Sequence, residues 1–312
     1  KNKIGLITRQ PLGVVSSITS WNDPLVPAMW KACPAILSGN SIIMKPSEFS
    51  SYSLLYVAKI FSEAGLPDGV LNVVTGDATT GQLLAKHEHV DGVFFTGSSK
   101  VGKKISNYAS QKKIKKISLE CGGKSTFIVS EKCKDLKQAA KSLAKNIFYN
   151  QGQICSAPSR AIINKKIKDK FLKLFFIETE KFIPKNPMNL KSEVGGLVSK
   201  KHYDFVLKML NIGKKEKNKI KIFKKDIFRK NFSFPPVIFY EVKKKSKLLQ
   251  QEIFGPILTC EYFELFDEAI KFANSTNYGL ASAIWSDSFS EILHFMNEIK
   301  TGLVHINSYG ED

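Results

Sequence analysis

The sequence predicts an α/β protein made of two successive domains with parallel sheets. Short apolar runs rich in β-branched residues alternate along the chain with amphipathic segments of helical period. The order strand, helix, strand is typical of parallel strands joined by right-handed crossovers. The 312 residues are enough for about two domains. We therefore expect each half of the chain to carry its own sheet.

The first domain is predicted to span residues 1–123. Apolar runs predict its strands at residues 14–18, 41–44, 70–74, 92–95 and 117–119. Periodic segments predict helices at residues 26–37, 51–64 and 79–87. Residues 96–102 are predicted to begin a last helix, which runs to residue 109. The regular alternation favours a Rossmann-like parallel sheet.

The second domain is predicted to span residues 124–312 and to alternate in the same way. Its strands are expected at residues 127–129, 160–163, 235–239, 257–262, 281–285 and 303–306. Its helices are expected at residues 136–148, 167–182, 200–212, 265–273 and 289–299. The lysine-rich stretch up to residue 231 is predicted to be an exposed hairpin or loop.

The composition indicates an ordinary globular protein, with 43% hydrophobic and 24% charged residues. No apolar run reaches the length of about 18 residues that a membrane helix needs, and the first five residues do not resemble a signal peptide. Five cysteines without a C-x-x-C pair argue against a disulfide framework or a zinc site. We therefore expect a cytoplasmic protein with no membrane partner.

The net charge of +19 raises the possibility of a nucleic-acid surface. Lysine runs at residues 112–116, 214–225 and 243–245 supply much of it, but no nucleic-acid motif accompanies them. We interpret the runs as solvated faces and expect no nucleic-acid partner. The five histidines are scattered, and the pair His87 and His89 lacks further ligands nearby, so no metal site is predicted.

Cys155 lies in the polar, glycine-bearing stretch of residues 150–157, directly after a predicted helix. Buried cysteines usually have apolar neighbours, whereas a reactive thiolate needs backbone donors and partial access to solvent. The stretch favours a nucleophile, with a structural thiol as the alternative.

Two polar loops follow predicted strands of the first domain. Asn22 comes after the first strand, where open α/β sheets bind ligands, although an Asx turn before Pro24 would also explain it. Lys45 and Glu48 follow the second strand and are suited to bind the hydroxyls of a ribose. The alternative is that Ser47 and Glu48 only cap the next helix.

Two further loops carry glycines beside polar groups. Gly97 and Ser98 open a helix, whose N-terminus is suited to a pyrophosphate, although an ordinary turn fits equally well. Glu120 lies at the end of a strand beside Gly122 and Gly123, where a carboxylate is suited to act as a base on water.

Taken together, these segments resemble the aldehyde dehydrogenase superfamily over essentially the whole chain. The two signature motifs are Leu119-Glu120-Cys121-Gly122-Gly123-Lys124-Ser125 and the stretch from Phe148 to Cys155. Five supporting segments occur in family order: Trp21-Asn22, Lys45-Pro46-Ser47-Glu48, Phe95-Thr96-Gly97-Ser98, Glu252-Ile253-Phe254-Gly255-Pro256 and Asn277-Tyr278-Gly279-Leu280. The stretch around Cys155 is most similar to the bacterial γ-glutamyl-γ-aminobutyraldehyde dehydrogenases.

The resemblance implies NAD(P)-dependent oxidation of a small aldehyde to a carboxylate through a thiohemiacetal and a thioester. It implies that Cys155 is the nucleophile, that Asn22 binds the oxyanion and that Glu120 activates water. It also implies a homo-oligomer for the full-length protein, with a cofactor domain followed by a catalytic domain.

The cofactor implied is NAD, with NADP as a possibility. The residues implied to bind it are Trp21, Lys45, Glu48, Gly97, Ser98, Leu119, Glu252 and Phe254. Among them, Lys45 and Glu48 are implied to bind the adenosine ribose, and Glu252 and Phe254 the nicotinamide ribose. Glu48 favours NAD, because a carboxylate repels a 2′-phosphate.

The family is longer than this chain at both ends, so we expect a fragment. The alternative function is an inactive, cofactor-binding remnant of the same fold. An acylating dehydrogenase that passes the thioester to coenzyme A is a further alternative, but Glu120 favours hydrolysis.

Overall fold

The computed structural model describes residues 3–227 and 231–310. The chain divides into two compact units, Lys1–Cys121 and Gly122–Asp312. Both units contain a sheet of mainly parallel strands with helices, so the predicted α/β class is confirmed. No helix within the described ranges is long and apolar enough to cross a membrane.

The first unit contains a five-stranded, fully parallel sheet. Its strands are β1 (Val14–Ile18), β2 (Ser41–Lys45), β3 (Leu71–Val73), β4 (Gly92–Thr96) and β5 (Lys116–Glu120). The strand order is β3-β2-β1-β4-β5. The chain therefore builds one half of the sheet outward from β1 and then crosses over to build the other half from β4.

Helices cover both faces of this sheet. They are α1 (Val26–Leu37), α2 (Ser51–Glu63), α3 (Ala78–Lys86) and α4 (Ser99–Ala109). One apolar core joins α1 and α2 to side chains such as Val15 and Ile42, and the other joins α3 and α4 to side chains such as Val93 and Phe95. Because successive strand residues point to opposite faces, the β-branched runs supply both cores.

The second unit contains a seven-stranded sheet in the order β12-β11-β6-β7-β10-β9-β8. Its strands are β6 (Thr126–Val129), β7 (Arg160–Asn164), β8 (Lys219–Ile222), β9 (Val237–Glu241), β10 (Ile257–Phe263), β11 (Ala281–Trp285) and β12 (Leu303–Ile306). Its strand pairs are parallel except the pair of β8 with β9.

Six α-helices in the described part of this unit accompany the sheet. They are α5 (Leu136–Phe148), α6 (Lys168–Thr179), α7 (Lys200–Lys215), α8 (Lys247–Gln250), α9 (Phe266–Ala273) and α10 (Phe289–Glu298). The largest core joins α5 and α6 to one face through side chains such as Phe127, whereas α9 and α10 pack on the other face with side chains such as Ile128. A third core lies under α7.

The lysine-rich stretch, predicted to be an exposed hairpin or loop, contains an antiparallel strand. Residues 219–222 form β8, which pairs antiparallel with β9, and Phe223 is buried. Residues 228–230 of this stretch lie outside the described residues. Two other predicted bounds shift for local reasons: β9 begins after Pro235 and Pro236, which cannot donate to a ladder, and α6 ends at Thr179 before a 3₁₀ turn.

Candidate active site

The cofactor residues predicted in the first unit lie at or just after the carboxyl ends of its strands. Trp21 and Asn22 follow β1, Lys45 ends β2, Gly97 and Ser98 follow β4, and Leu119 and Glu120 end β5. All these strands are parallel, so the residues lie along one edge of the sheet. The order in which strands are added to the sheet reverses between β1 and β4, and open α/β sheets bind ligands at such a switch point.

Lys45 and Glu48, predicted to bind a ribose, form an ion pair with each other. The Lys45 side chain is buried, and its Nζ lies 4.0 Å from Oε2 of the exposed Glu48 side chain. The alternative role of Glu48 as a helix cap is not supported, because Ser50 is the N-cap of α2 and makes no side-chain capping bond. A buried ammonium beside an exposed carboxylate presents both a donor and an acceptor to a ligand hydroxyl.

Gly97 and Ser98 form a tight entry to α4. A Cβ at Gly97 would lie 2.6 Å from the Phe95 ring, so only glycine fits there. The Gly97 N–H donates to the carbonyl of Glu120 at 3.0 Å, which joins the ends of β4 and β5. Ser98 is the exposed N-cap of α4, and its hydroxyl accepts from the Val101 N–H at 3.4 Å.

Two side-chain hydroxyls at this edge of the sheet are available to hydrogen-bond a ligand. The Thr19 and Ser20 hydroxyls, directly after β1, are buried and have no hydrogen-bond partner within residues 3–227 and 231–310. Buried hydroxyls without partners are rare in folded proteins. The residues at the switch point therefore fit a polar ligand such as a dinucleotide.

The second unit places four of the motif segments singled out in the sequence before the amino ends of four neighbouring strands. Gly123 precedes β6, Cys155 precedes β7, Phe254 precedes β10 and Tyr278 precedes β11. The order β11-β6-β7-β10 makes these strands adjacent, and they are parallel. Four loops that are distant in sequence therefore meet at one edge.

The loop that carries Cys155 has an unusual backbone. Asn150, Gln151 and Gly152 all adopt positive φ, at 46°, 58° and 68°. The buried side chain of Gln153 fixes the loop, because its Nε2 donates to the Asn150 carbonyl at 2.9 Å and its Oε1 accepts from the Val198 N–H at 2.9 Å. This conformation leaves Cys155 half-buried, as a nucleophile requires.

The two glycines of the signature motif contact two different loops. A Cβ at Gly122 would lie 2.1 Å from Oε2 of Glu252, and a Cβ at Gly123 would lie 2.4 Å from the carbonyl oxygen of Cys155. The Gly123 N–H donates to Oε1 of Glu252 at 3.0 Å. The peptide therefore touches a predicted cofactor residue and the predicted nucleophile. Burial raises the pKa of Glu252.

Phe254 adopts a left-handed backbone, with φ of 56°. The next residue, Gly255, lies so close to Val206 of α7 that a Cβ would approach it to 2.8 Å. The carbonyl of Gly255 lies 2.5 Å from the position of a Cβ on Gly152. The loop of Phe254 and the loop of Cys155 are thus packed backbone against backbone.

A buried charged group lies beneath this edge. Arg160 is fully buried, and its Nε and Nη2 donate to Oε2 of Glu261 at 3.0 and 2.6 Å. Lys124 is also buried, and its Nζ has no partner within the described residues. Burial and the charge of Arg160 lower the pKa of Lys124 to about 7, against the opposing charges of Glu252 and Glu261.

Sequence reasoning missed two contacts and one buried amine in the second unit. The hydroxyl of the buried Tyr309 donates to the carbonyl of Ser156, next to the predicted nucleophile. The amine of Lys124 is buried, although lysine ordinarily indicates surface. His202, grouped among scattered histidines, bonds to the Phe254 carbonyl. Each contact joins distant parts of the chain, so no local pattern revealed it.

No group of three or more histidine, cysteine or acidic side chains in the described part of the chain could hold a metal ion. His87 and His89 are exposed and contact each other, with ring centroids 5.6 Å apart.

Comparison with known proteins relates the chain to one family. The profile described as "Aldehyde dehydrogenase family" matches residues 1–312. The NADP/NAD-dependent aldehyde dehydrogenase PuuC of Escherichia coli is 38% identical over 315 residues, covering 99% of this chain and 62% of the relative. Aldehyde dehydrogenase [NAD(P)+] 1 of Saccharomyces cerevisiae is 40% identical over 320 residues, covering 100% of this chain and 63% of the relative.

Solved structures give the same result. A mutant of the indole-3-acetaldehyde dehydrogenase AldA of P. syringae, in complex with NAD+, has a TM-score of 0.93 and 38% identity. The γ-glutamyl-γ-aminobutyraldehyde dehydrogenase of Burkholderia cenocepacia has a TM-score of 0.92 and 38% identity. Each comparison covers 98% of this chain and 62% of the other. The chain thus spans less than two thirds of the length of these relatives.

Proposed function

Because the chain belongs to the aldehyde dehydrogenase family, we propose that it performs NAD(P)-dependent oxidation of an aldehyde to a carboxylate. The relatives named for this activity and the parallel sheet with its polar switch point support the proposal. The single observation that carries it is the packing of the Gly122–Gly123 peptide against both Glu252 and Cys155. The motif thereby holds a nucleophile and a cofactor ligand in one unit.

In this proposal the Cys155 thiolate adds to the aldehyde carbon and forms a thiohemiacetal. The Asn22 amide and the Cys155 N–H donate to the oxyanion, and such donors are typically worth about 3 kcal/mol each. When bound, the nicotinamide accepts the hydride that leaves this carbon. Loss of the hydride and re-formation of the C=O bond leave a thioester on Cys155.

Glu120 then takes a proton from water, and the resulting hydroxide attacks the thioester carbon. The C–S bond breaks, so that the carboxylate leaves and the Cys155 thiolate is regenerated. Such a base favours hydrolysis over transfer of the acyl group to coenzyme A. Glu120 is exposed at the end of β5, as a residue that must meet water requires.

The remaining roles concern the cofactor. We propose that Lys45 and Glu48 bind the adenosine ribose, that the entry to α4 at Gly97 and Ser98 binds the pyrophosphate, and that Glu252 and Phe254 bind the nicotinamide ribose. Trp21 and Leu119 complete the proposed set. The exposed carboxylate of Glu48 disfavours a 2′-phosphate, so we propose NAD as the preferred cofactor.

We also propose a cytoplasmic location and a homo-oligomer for the whole protein. The five cysteines are sparse and form no C-x-x-C pair, as suits a reducing compartment.

The proposal is tested with Cys155→Ala, assayed for aldehyde-dependent NADH formation and for NAD+ binding by calorimetry. We expect NADH formation to disappear while NAD+ binding remains. Cys33→Ala, which removes another half-buried free thiol, serves as the matched control and should keep the activity of the parent. Full activity in Cys155→Ala would contradict the proposal.

The same assays address the alternative, an inactive remnant that only binds the cofactor. NAD+ binding without turnover by the parent chain, across a panel of aromatic, aliphatic and amino aldehydes, would favour it.

A further inference from the structure

His202 lies in the first turn of α7 and is half-buried. Its backbone N–H donates to the hydroxyl of Ser199, the N-cap of this helix, at 3.2 Å. Its ring stacks on Phe205, with centroids 6.2 Å apart, and meets the ring of Phe254 edge-on at the same distance. Packing and capping therefore fix both the backbone and the ring of His202.

Nε2 of His202 lies 2.7 Å from the carbonyl oxygen of Phe254. A carbonyl oxygen can only accept, so Nε2 must carry the hydrogen. Burial lowers the pKa of His202, so the ring is neutral near pH 7 and its single proton resides on Nε2. The bond therefore selects one tautomer of the ring.

The backbone that accepts this bond is strained. Phe254 has a φ of 56°, and such a conformation costs a residue with a side chain about 1 kcal/mol or more. The conformation persists only where the surroundings hold it. Two residues one turn apart on α7 hold it here: His202 binds the Phe254 carbonyl, and Val206 packs against Gly255.

The strained turn in turn supports the loop of the proposed nucleophile. The Gly255 carbonyl packs against Gly152, three residues before Cys155, so closely that no side chain fits between them. The same carbonyl accepts from the Ile257 N–H at 2.7 Å, where β10 begins. A relaxed Phe254 backbone would move this carbonyl and release both contacts.

We infer that His202 is a positioning residue, whose Nε2–H holds Phe254 in its left-handed conformation and thereby sets the proposed nicotinamide-ribose clamp and steadies the loop of Cys155. This role rests on the proposed function for its catalytic consequence, but not for its structural one. The residue acts through Phe254 and Gly255.

Three substitutions distinguish the effect of the N–H donor of His202 from the effect of the size of its ring. His202→Phe keeps an aromatic ring without a donor, His202→Leu keeps an apolar side chain without a donor, and His202→Gln restores an N–H at similar reach. Lys201→Ala, at the exposed neighbouring position, is the control. Circular dichroism verifies folding in each variant.

The first measurement is the apparent KM for NAD+, with kcat and the KM for the aldehyde. We expect His202→Phe to raise the KM for NAD+ about tenfold, equivalent to about 1.4 kcal/mol, with a smaller change in the KM for the aldehyde. His202→Gln and Lys201→Ala should stay within about twofold of the parent. A merely structural role would not be rescued by glutamine.

The second measurement is hydrogen exchange at the Ile257 amide, which needs neither NAD+ nor turnover. We expect exchange about tenfold faster in His202→Phe than in the parent or His202→Gln. Unchanged exchange in His202→Phe, or equal impairment in His202→Gln, would overturn the inference. If His202→Phe and His202→Leu both unfold, a folded His202→Gln variant supports the inference, and an unfolded His202→Gln variant overturns it.

The two measurements distinguish a failure of the proposed function from a failure of the inference about His202. A parent that binds no NAD+ rejects the proposed function, whereas the exchange rates still decide the role of His202.

Discussion

Replacing Lys124 with methionine removes a buried amine that has no hydrogen-bond partner within the described residues. Methionine has a similar length and no charge, so the space beneath the site edge stays filled. We expect the variant to be more stable than the parent near neutral pH, because the parent must bury or neutralise an ammonium group there.

The magnitude follows from the pKa of Lys124, which burial lowers from 10.5 to about 7. Such a difference corresponds to about 5 kcal/mol. Between these two values the unfolded chain binds the proton and the folded chain does not, so the free energy of unfolding of the parent rises with pH. From about pH 7 to about pH 9.5 the free energy of unfolding of the parent should rise by about 3 kcal/mol relative to that of Lys124→Met.

The assay is urea unfolding of both proteins at these two pH values, followed by circular dichroism. If the free energy of unfolding falls with urea concentration at the same slope in both proteins, the substitution changes stability and not the unfolded state. Lys137→Met on α5 is the control, because this side chain is exposed and should change the free energy of unfolding by under about 0.5 kcal/mol at both values.

The charges that face Lys124 are those of Arg160, Glu252 and Glu261. If the difference between parent and variant were the same at both pH values, the proposed titration of the buried amine would be refuted. A variant less stable than the parent near pH 7 would show instead that these carboxylates stabilise the ammonium more than burial opposes it.

Two further substitutions test contacts around Cys155. Gly123→Ala places a Cβ 2.4 Å from the Cys155 carbonyl and should cost about 1–3 kcal/mol of stability and lower kcat, measured by urea unfolding and NADH formation. Gly302→Ala, whose nearest neighbour is 3.7 Å away, should resemble the parent, and parental kinetics in Gly123→Ala would refute the steric argument. Tyr309→Phe removes the donor to the Ser156 carbonyl and should lower the free energy of unfolding by about 1–3 kcal/mol; an unchanged urea midpoint would contradict this.

The regular part of the fold was predictable because buried parallel strands need apolar runs on both faces. Residues 92–95 carry little else, residues 14–18 are apolar apart from Ser16 and Ser17, and β1 and β4 lie where these runs predict. β8 was predicted only as part of an exposed hairpin or loop, because lysines alternate with Ile220 and Ile222 and a composition dominated by charge conceals these two half-buried side chains. α8 has only four residues, too few to show a helical period.

The site was predictable as a set of motifs but not as a set of contacts. Gly123 and Glu252 are 129 positions apart, and the bond between them depends on the adjacency of β6, β7 and β10. Lys124 follows the two glycines, and a charged residue in that position predicts a surface that the fold does not provide. The roles of the individual site residues remain predictions for the experiments above.

The double contact of the Gly122–Gly123 peptide restricts how this protein can be altered by engineering. A side chain at Gly122 would displace Glu252, and one at Gly123 would displace Cys155, so neither position offers a way to change cofactor preference without disturbing the proposed site. Glu48 offers such a way, because its exposed carboxylate belongs to the other compact unit. Libraries aimed at NAD or NADP preference should therefore vary Glu48 and keep both glycines constant.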